Sequence, residues 1–192
     1  MIKFILHGGN TGVENKDNEV FFSEFTKDFS NTKLVSILLV YFSRNESKWV
    51  DLGKQDIKNI TRHTKSKSIT FDVAKEDIFK EQMRKADVIY FRGGDTYKLL
   101  EKLKKIKKIE TLFEGKTIIG SSAGACVLGK YFYDNDYDKI DQGLGIIDFK
   151  IFCHYDESCL NLARKLDDYK EKLELILLPA YKHKIVYKSD SI

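Results

Sequence analysis

Hydrophobic residues recur along this chain with two different periods. Short β-branched and aliphatic runs, typical of buried strands, alternate with longer segments whose apolar positions follow the helical period. The strand-like runs are Lys3–Leu6, Leu34–Val40, Ser68–Val73, Val88–Phe91, Thr117–Ile119, Ile147–Phe152 and Leu175–Leu178. The helix-like segments are Asn18–Phe29, Glu46–Thr61, Glu76–Lys85, Tyr97–Lys107 and Ser158–Leu173. This alternation predicts βα units around a largely parallel sheet, in one domain over residues 1–192.

Composition narrows the class of protein. A chain of 192 residues with 42% hydrophobic and 32% charged residues is typical of a folded domain rather than a disordered one. The net charge is only +4, and apolar Ile106 interrupts the densest basic run, Lys104–Lys108. A run of that kind is typical of the solvent face of a helix, so we expect no nucleic-acid partner.

The cysteines and the hydropathy of the chain indicate the cellular compartment in which the protein is expected. The three cysteines form no C-x-x-C pair, which favours neither a disulfide framework nor a zinc site. No apolar run is long enough to cross a bilayer, and Met1-Ile2-Lys3 leads into a strand-like run rather than a signal peptide. We expect a cytoplasmic protein without a membrane partner.

Four unusual segments each follow a predicted strand. They are Gly8-Gly9-Asn10-Thr11, Gly93-Gly94-Asp95-Thr96, Gly120-Ser121-Ser122-Ala123-Gly124 and His154-Tyr155-Asp156. Sites of open α/β sheets are built where the strands end, because the loops converge there beside helix N-termini. A glycine pair alone is often only a tight turn, but four such segments on one edge predict a functional site.

The third segment fits G-x-S-x-G, the strand-turn-helix elbow that exposes a serine hydroxyl. A side chain at Gly120 or Gly124 would collide with the backbone where the strand turns sharply into a helix. The alternative is a small-residue turn that only permits close packing. The strand-like Thr117–Ile119 before the elbow favours Ser122 as a nucleophile.

A serine hydroxyl needs a base that accepts its proton, and histidine is the usual one. Of the four histidines, His63 and His183 lie in Lys-rich stretches, whereas His7 and His154 follow strands. We expect His154 to be the base. The alternative is that its ring only forms a structural hydrogen bond at the strand end.

The acid of a Ser-acid-His order would lie between the elbow and His154, and spacing alone does not choose among Asp134, Asp136, Asp138, Asp141 and Asp148. A metal on His154 and Asp156 is a competing idea, but no second histidine stands at ligand spacing, and we expect neither a metal nor a cofactor.

An oxyanion hole needs two N–H donors. Ala123 follows the nucleophile, and the Gly93-Gly94 loop offers an unobstructed second donor.

These motifs resemble the peptidase E family of serine peptidases, which includes cyanophycinase and aspartyl dipeptidase. Residues 91–100, Phe-Arg-Gly-Gly-Asp-Thr-Tyr-Lys-Leu-Leu, are similar to that family's Gly-Gly-Asn/Asp-Thr-x-x-Leu-Leu loop. The Gly120–Ala125 elbow and the later Gly143–Ile147 segment, which leads to His154-Tyr155-Asp156, follow in the family's order. The resemblance covers about residues 88–157.

The resemblance implies a catalytic Ser122, a base at His154, an oxyanion donor at Gly94 and an acid at Asp136, with Asp134 and Asp138 as alternatives. It also implies a three-layer α/β/α sandwich with a mostly parallel sheet, like that of class I glutamine amidotransferase domains. Arg92 departs from the family pattern, because many members have another glycine there.

Aspartyl dipeptidases hold an acidic substrate side chain with a basic group. Arg92 and Arg164 are the candidates here, although either residue could equally form an ordinary ion pair.

The sequence therefore predicts a serine peptidase that hydrolyses short peptides through an acyl-enzyme, as a monomer or a homodimer. An N-terminal aspartate preference would place it with the aspartyl dipeptidases. The alternatives are an esterase with the same triad and a non-catalytic module that holds a small anion at helix N-termini.

Overall fold

The structure is a computed structural model that describes residues 1–30, 34–64 and 68–189. The strands over those ranges are β1 (Ile2–His7), β2 (Val35–Val40), β3 (Ile69–Val73), β4 (Val88–Phe91), β5 (Thr117–Ser121), β6 (Gly129–Asp134), β7 (Lys139–Gln142), β8 (Ile147–Cys153), β9 (Glu174–Leu178) and β10 (His183–Lys188). The α-helices are α1 (Lys16–Ser23), α2 (Trp49–His63), α3 (Phe79–Lys85), α4 (Thr96–Lys104), α5 (Ala123–Leu128) and α6 (Leu160–Asp167).

The larger sheet has six strands in the order β10-β1-β5-β4-β2-β3. Its strands are parallel except β10, which pairs antiparallel with β1. Side chains alternate between the two faces, so Phe4 and Ile118 join one apolar cluster with α4 and α5, while Ile5 and Ile119 join another with α1 and α2. Helices on both faces confirm the predicted three-layer α/β/α arrangement.

A second sheet of four strands, β7-β6-β8-β9, packs on the far side of α5. The sequence predicts one sheet that contains β8 and β9 together with the earlier strands, and that prediction was wrong, because these two strands belong to the second sheet. Ile151 and Cys153 of β8 face the cluster around α5, whereas Phe152 faces α6 on the outside. A strand buried on both faces gives the same hydrophobic run in either sheet, so the run alone cannot assign it.

Three strands and several helix ends also differ from the prediction. Strands β6, β7 and β10 were not predicted, since β6 follows α5 without a loop and β10 is a half-exposed edge strand rich in lysine. The predicted helix Asn18–Phe29 ends at Ser23, and the one over Ser158–Leu173 is a 3-10 turn followed by α6. Apolar residues after each helix, such as Phe25, lie in turns and pack into the core. Their spacing along the chain matches the helical period, so the pattern predicts helices that are too long.

The two sheets meet at Gly8, directly after β1. The Gly8 N–H donates to the Lys182 carbonyl at 2.9 Å, and the Gly8 carbonyl accepts the His154 N–H at 3.1 Å. A Cβ at Gly8 would lie 2.0 Å from the Pro179 carbonyl oxygen. Only glycine permits this close approach, which brings the ends of β1 and β8 together.

The packing of α5 against β4 predicts opposite effects for two Gly→Ala changes. At Gly124 a Cβ would lie 2.0 Å from the Phe91 carbonyl oxygen, whereas at Gly53, inside α2, it would meet only the Tyr41 ring at 4.0 Å. We expect Gly124→Ala to lower the free energy of unfolding by about 1–3 kcal/mol. Gly53→Ala should raise it by about 0.4–1 kcal/mol.

Urea denaturation followed by circular dichroism measures both values. A Gly124→Ala variant as stable as the wild type would show that α5 can move away from β4 at no cost.

Candidate active site

Ser122 occupies a strained turn between β5 and α5. Its backbone has φ 49° and ψ −114°, a combination that residues other than glycine rarely adopt. Its N–H donates to the His7 carbonyl at 2.8 Å, which fixes the turn against the end of β1. The flanking glycines are required because they pack closely against each other. A Cβ at Gly120 would lie 2.4 Å from Gly124 backbone atoms. The G-x-S-x-G pattern therefore forms the predicted elbow.

His154 comes to Ser122 from the second sheet. It follows β8 with φ 54°, and its Nε2 lies 2.9 Å from Ser122 Oγ. The imidazole rests against Gly9, where a Cβ would lie 2.1 Å from ring atom Cε1. The serine and the histidine, 32 positions apart, are thus in hydrogen-bond contact.

His7, the other histidine at a strand end, has a structural position. It is buried, its Nδ1 accepts the Gly9 N–H at 3.0 Å, and its Nε2 lies 3.0 Å from Asn18 Oδ1. Since Nδ1 accepts, the ring proton is on Nε2 and donates to Asn18. Burial lowers the pKa of His7 to about 4, so the ring is neutral at neutral pH. His7 therefore holds the glycine loop that supports His154.

His154 is also suited to receive a proton. Partial burial lowers its pKa below the ordinary histidine value, and the negative charge of Asp136 opposes that effect. The ring is therefore neutral at neutral pH. A neutral imidazole next to a serine hydroxyl can act as a general base.

Three candidate acids lie at the end of β6 and in the segment that joins it to β7. Asp138 accepts the Tyr133 hydroxyl, and Asp134 Oδ1 accepts the N–H groups of Asp136 and Tyr137 at 2.9 and 3.1 Å. No carboxylate in the described ranges hydrogen-bonds to His154. Asp136 is the carboxylate whose charge raises the pKa of His154.

The remaining acidic candidates face elsewhere. Asp141 accepts the Tyr97 hydroxyl at 3.2 Å, and Asp148 lies at the start of β8, the end opposite His154. Asp156, considered with His154 as a metal ligand, accepts the Ser158 N–H at 2.8 Å and caps the next 3-10 turn. In the described part of the chain, no three His, Cys, Asp or Glu residues are grouped so that they could hold one ion.

The two expected oxyanion donors lie beside Ser122. The Gly93 N–H donates to Ser121 Oγ at 3.0 Å, whereas no acceptor among the described residues takes the Gly94 N–H. Ala123 is the first residue of α5, where the N–H has no partner within the helix. At Gly94 a Cβ would lie 2.4 Å from the Ser43 carbonyl oxygen. Two N–H groups are therefore available near the hydroxyl.

Two cavities flank the serine and the histidine. The first, of about 430 Å³, is lined by Ser43, Arg44, Asn45, Lys48, Gly94, Asp95, Thr96, Ser122, Asp134, Asp136, Tyr137 and His154. The second, of about 270 Å³, is lined by Gly9, Asn10, Thr11, Gly12, Val13, Arg44, Arg92, Gly93, Ser121, Ser122 and His154.

The structure places the two arginines, each of which could be a substrate contact or form an ordinary ion pair, in different surroundings. The Arg92 guanidinium, although at the edge of the second cavity, pairs with buried Asp56 and donates to Gln55 Oε1 at 2.7 Å. Arg164 lies on the exposed face of α6 and lines neither cavity. The cations of the first cavity are Arg44 and Lys48, which sequence reasoning missed. They follow β2, so the sheet-edge argument applied to that strand would have found them.

A strained serine elbow with a histidine in contact is the arrangement that serine hydrolases use. The model of peptidase family S51 matches residues 5–185, so the chain belongs to this family, the peptidase E family. It is a serine-type peptidase.

Two relatives are similar in sequence to this chain, and a solved structure is similar to it in fold. An uncharacterized peptidase of Listeria monocytogenes is 26% identical over 158 residues, which cover 74% of this chain and 75% of the relative. Another, of Listeria innocua, is 28% identical over 155 residues, 73% of this chain and 72% of the relative. The fold is similar to a crystal structure of a peptidase from an acI-B1 Actinobacterium, with a TM-score of 0.70 and 20% identity over 97% of this chain and 84% of that one.

Within residues 1–30, 34–64 and 68–189, none of the helices has both the length and the apolar character needed to span a membrane.

The contact between Gly9 and the imidazole predicts a loss of activity for Gly9→Ala. The added Cβ would overlap the His154 ring at 2.1 Å, so the ring must move away from Ser122. A displacement of about 1 Å can cost roughly 10²-fold in rate. We expect a loss of that size in the rate at which a fluorophosphonate probe labels Ser122.

Gly115→Ala is the matched control, because Gly115 also has a positive φ but a Cβ there would meet no atom within 4 Å. Both variants carry the backbone cost of alanine at positive φ. Equal labelling rates in the two variants would show that Gly9 does not position the ring.

Proposed function

We propose that this peptidase hydrolyses short peptides through an acyl-enzyme on Ser122, with His154 as the base and Asp136 as the acid. The observation that carries the proposal is the 2.9 Å contact between Ser122 Oγ and His154 Nε2 in the strained elbow. The N–H groups of Gly94 and Ala123, which no acceptor among the described residues takes, support it, as does membership of family S51.

The reaction follows from these positions. Ser122 Oγ attacks the scissile carbonyl while its proton passes to His154 Nε2, and the N–H groups of Gly94 and Ala123 stabilise the oxyanion. The imidazolium then gives the proton to the departing amine, which leaves an ester on Ser122. Water, deprotonated by His154, hydrolyses that ester and restores the serine.

Asp136 acts on the imidazole through its charge. A carboxylate near the ring stabilises the imidazolium that forms when Ser122 loses its proton, and Asp136 is the carboxylate that raises the pKa of His154. Asp138 is already bonded to Tyr133, and Asp134 holds the turn that carries Asp136. This division of roles favours Asp136 over its two neighbours.

The size and charges of the cavities favour a small substrate. The first cavity carries the carboxylates of Asp134 and Asp136 and the ammonium group of Lys48. A carboxylate pair suits the free amino group of a short peptide, and a cation suits an acidic side chain. We therefore propose short peptides with a free N-terminus as substrates, including dipeptides with N-terminal aspartate.

The three free cysteines favour a cytoplasmic location.

Replacement of the nucleophile tests the reaction. We expect Ser122→Ala to fold normally and to lose about 10⁶-fold in kcat, the loss that removal of a serine nucleophile produces. A dipeptide library resolved by mass spectrometry, with Asp-X and X-Asp sets and short-chain esters, measures turnover and preference together. Ser121→Ala is unsuitable as a control, because Ser121 Oγ holds the Gly93 N–H.

Two results would contradict the proposal. Peptide hydrolysis that survives in Ser122→Ala would exclude the serine, and a wild-type enzyme that turns over only the esters would favour the esterase.

The acid is tested by pH dependence. Activity requires neutral His154, whose pKa lies below the ordinary value, so the acidic limb of kcat/KM should have its midpoint below pH 6.5. Asp136 raises that pKa, so Asp136→Asn should move the limb to still lower pH and lower kcat, because the imidazolium loses the charge that stabilises it.

Asp134→Asn and Asp138→Asn are the matched controls, because neither carboxylate contributes to the pKa of His154. Both should leave the limb in place. A limb that moves only in one of these variants would transfer the role of the acid to that residue.

A further inference from the structure

The side chain of Arg44, in the loop after β2, turns back onto the loop after β4. Its Nε donates to the Gly93 carbonyl at 2.6 Å. That carbonyl and the Gly94 N–H belong to the same peptide group. In a planar trans peptide the C=O and the N–H point in opposite directions. The arginine that holds the carbonyl therefore fixes the direction of the N–H.

This peptide needs an external restraint, because it lies between two glycines. Without a Cβ on either side, rotation of the peptide meets little steric resistance. The ends of the loop are held, since the Gly93 N–H donates to Ser121 Oγ at 3.0 Å and the Asp95 N–H donates to the Ser43 carbonyl at 2.9 Å. The peptide between them is held by the bond from Arg44.

Arg44 is itself well placed for this role. Its backbone N–H donates to the Tyr41 carbonyl at 2.8 Å, and its carbonyl accepts the Trp49 indole N–H at 3.1 Å. The side chain lines both cavities beside Ser122. Because the loop and the indole fix the backbone of Arg44, the guanidinium is presented to the Gly93 carbonyl from a rigid base.

The charge of the guanidinium adds to its geometry. A hydrogen bond from a cation is about twice as strong as one between neutral groups. Consecutive hydrogen bonds polarise one another, so a cation on the carbonyl makes the N–H of the same peptide a better donor. The Gly94 N–H would then bind a developing negative charge more tightly than an unassisted amide.

We propose that Arg44 is a positioning residue that orients and polarises the Gly93–Gly94 peptide, so that the Gly94 N–H is directed to the oxyanion. The proposal rests on the proposed function in one respect, the assignment of Gly94 as an oxyanion donor. It assigns to Arg44 a role in stabilising the transition state and not in holding substrate side chains.

Kinetics of Arg44→Ala and Arg44→Gln separate the two roles. Loss of one oxyanion donor costs about 10²–10³-fold in kcat. We expect a loss of about 10²-fold in kcat with KM within threefold, of equal size for neutral and acidic peptides. An arginine that held substrate would instead raise KM and leave kcat unchanged. Methylguanidine added to Arg44→Ala should restore part of kcat.

Tetrahedral adducts give a second measurement that a general loss of structure would not reproduce. The affinity for a peptide aldehyde, which forms such an adduct with Ser122, should fall by the same factor as kcat. The affinity for the matching unreactive amide should stay unchanged. Arg84→Ala is the control, because Arg84 pairs with Glu81 on the surface and lines neither cavity. It should keep kcat within twofold.

The outcomes distinguish this proposal from the proposed function. If Ser122 is required and Arg44→Ala keeps its kcat, or changes only KM, the role of Arg44 is wrong and the peptidase reaction stands. If the wild type does not hydrolyse peptides, the rate of Ser122 labelling by a fluorophosphonate still tests Arg44, since that reaction also develops charge on oxygen. An unchanged labelling rate in both variants would overturn the proposal.

Discussion

Two consecutive carbonyl groups at the end of β1 hold the reacting groups together. The His7 carbonyl accepts the Ser122 N–H, and the Gly8 carbonyl accepts the His154 N–H. The serine belongs to the six-stranded sheet and the histidine to the four-stranded one, so this short piece of backbone is where the two sheets become one site. The close approach is possible because residue 8 has no side chain.

Strain at the site is concentrated in the residues that react. Ser122 and His154 both have positive φ, a conformation that costs free energy and persists only where the surroundings impose it. The surroundings here are the β1 carbonyls, the Gly9 surface under the imidazole and the buried His7 ring that holds the glycine loop. Backbone contacts therefore position the hydroxyl and the imidazole more than their own side-chain bonds do.

The sequence was informative where the chemistry is local. The elbow around Ser122 is five consecutive residues whose glycines have a steric reason, and it formed as expected. Four histidines, two of them in lysine-rich stretches, left few candidates for a partner. The alternation of strand-like and helix-like segments predicted βα units around a mostly parallel sheet, and the family resemblance implied the three-layer sandwich. Family S51 membership then confirmed the resemblance that residues 88–157 had suggested.

Long-range placement was not predictable in the same way. Nothing in the hydrophobic run of β8 distinguishes one sheet from the other, and neighbouring aspartates look alike until Tyr133 is seen to bond Asp138. Arg92 resembled a substrate contact because Asp56, its partner, lies 36 positions away. The position of Arg44 after β2 was readable from the sequence, but its hydrogen bond to a carbonyl 49 positions away is a contact that no local spacing reveals.

The contact between the two sheets at Gly8 has a consequence for inhibition. The largest apolar cluster contains residues of both sheets, so the sheets stay joined while a small displacement at Gly8 would move the imidazole away from the hydroxyl. A compound bound between the two sheets at Gly8 would inhibit the enzyme from outside the substrate cavities, and adding more substrate would not displace it.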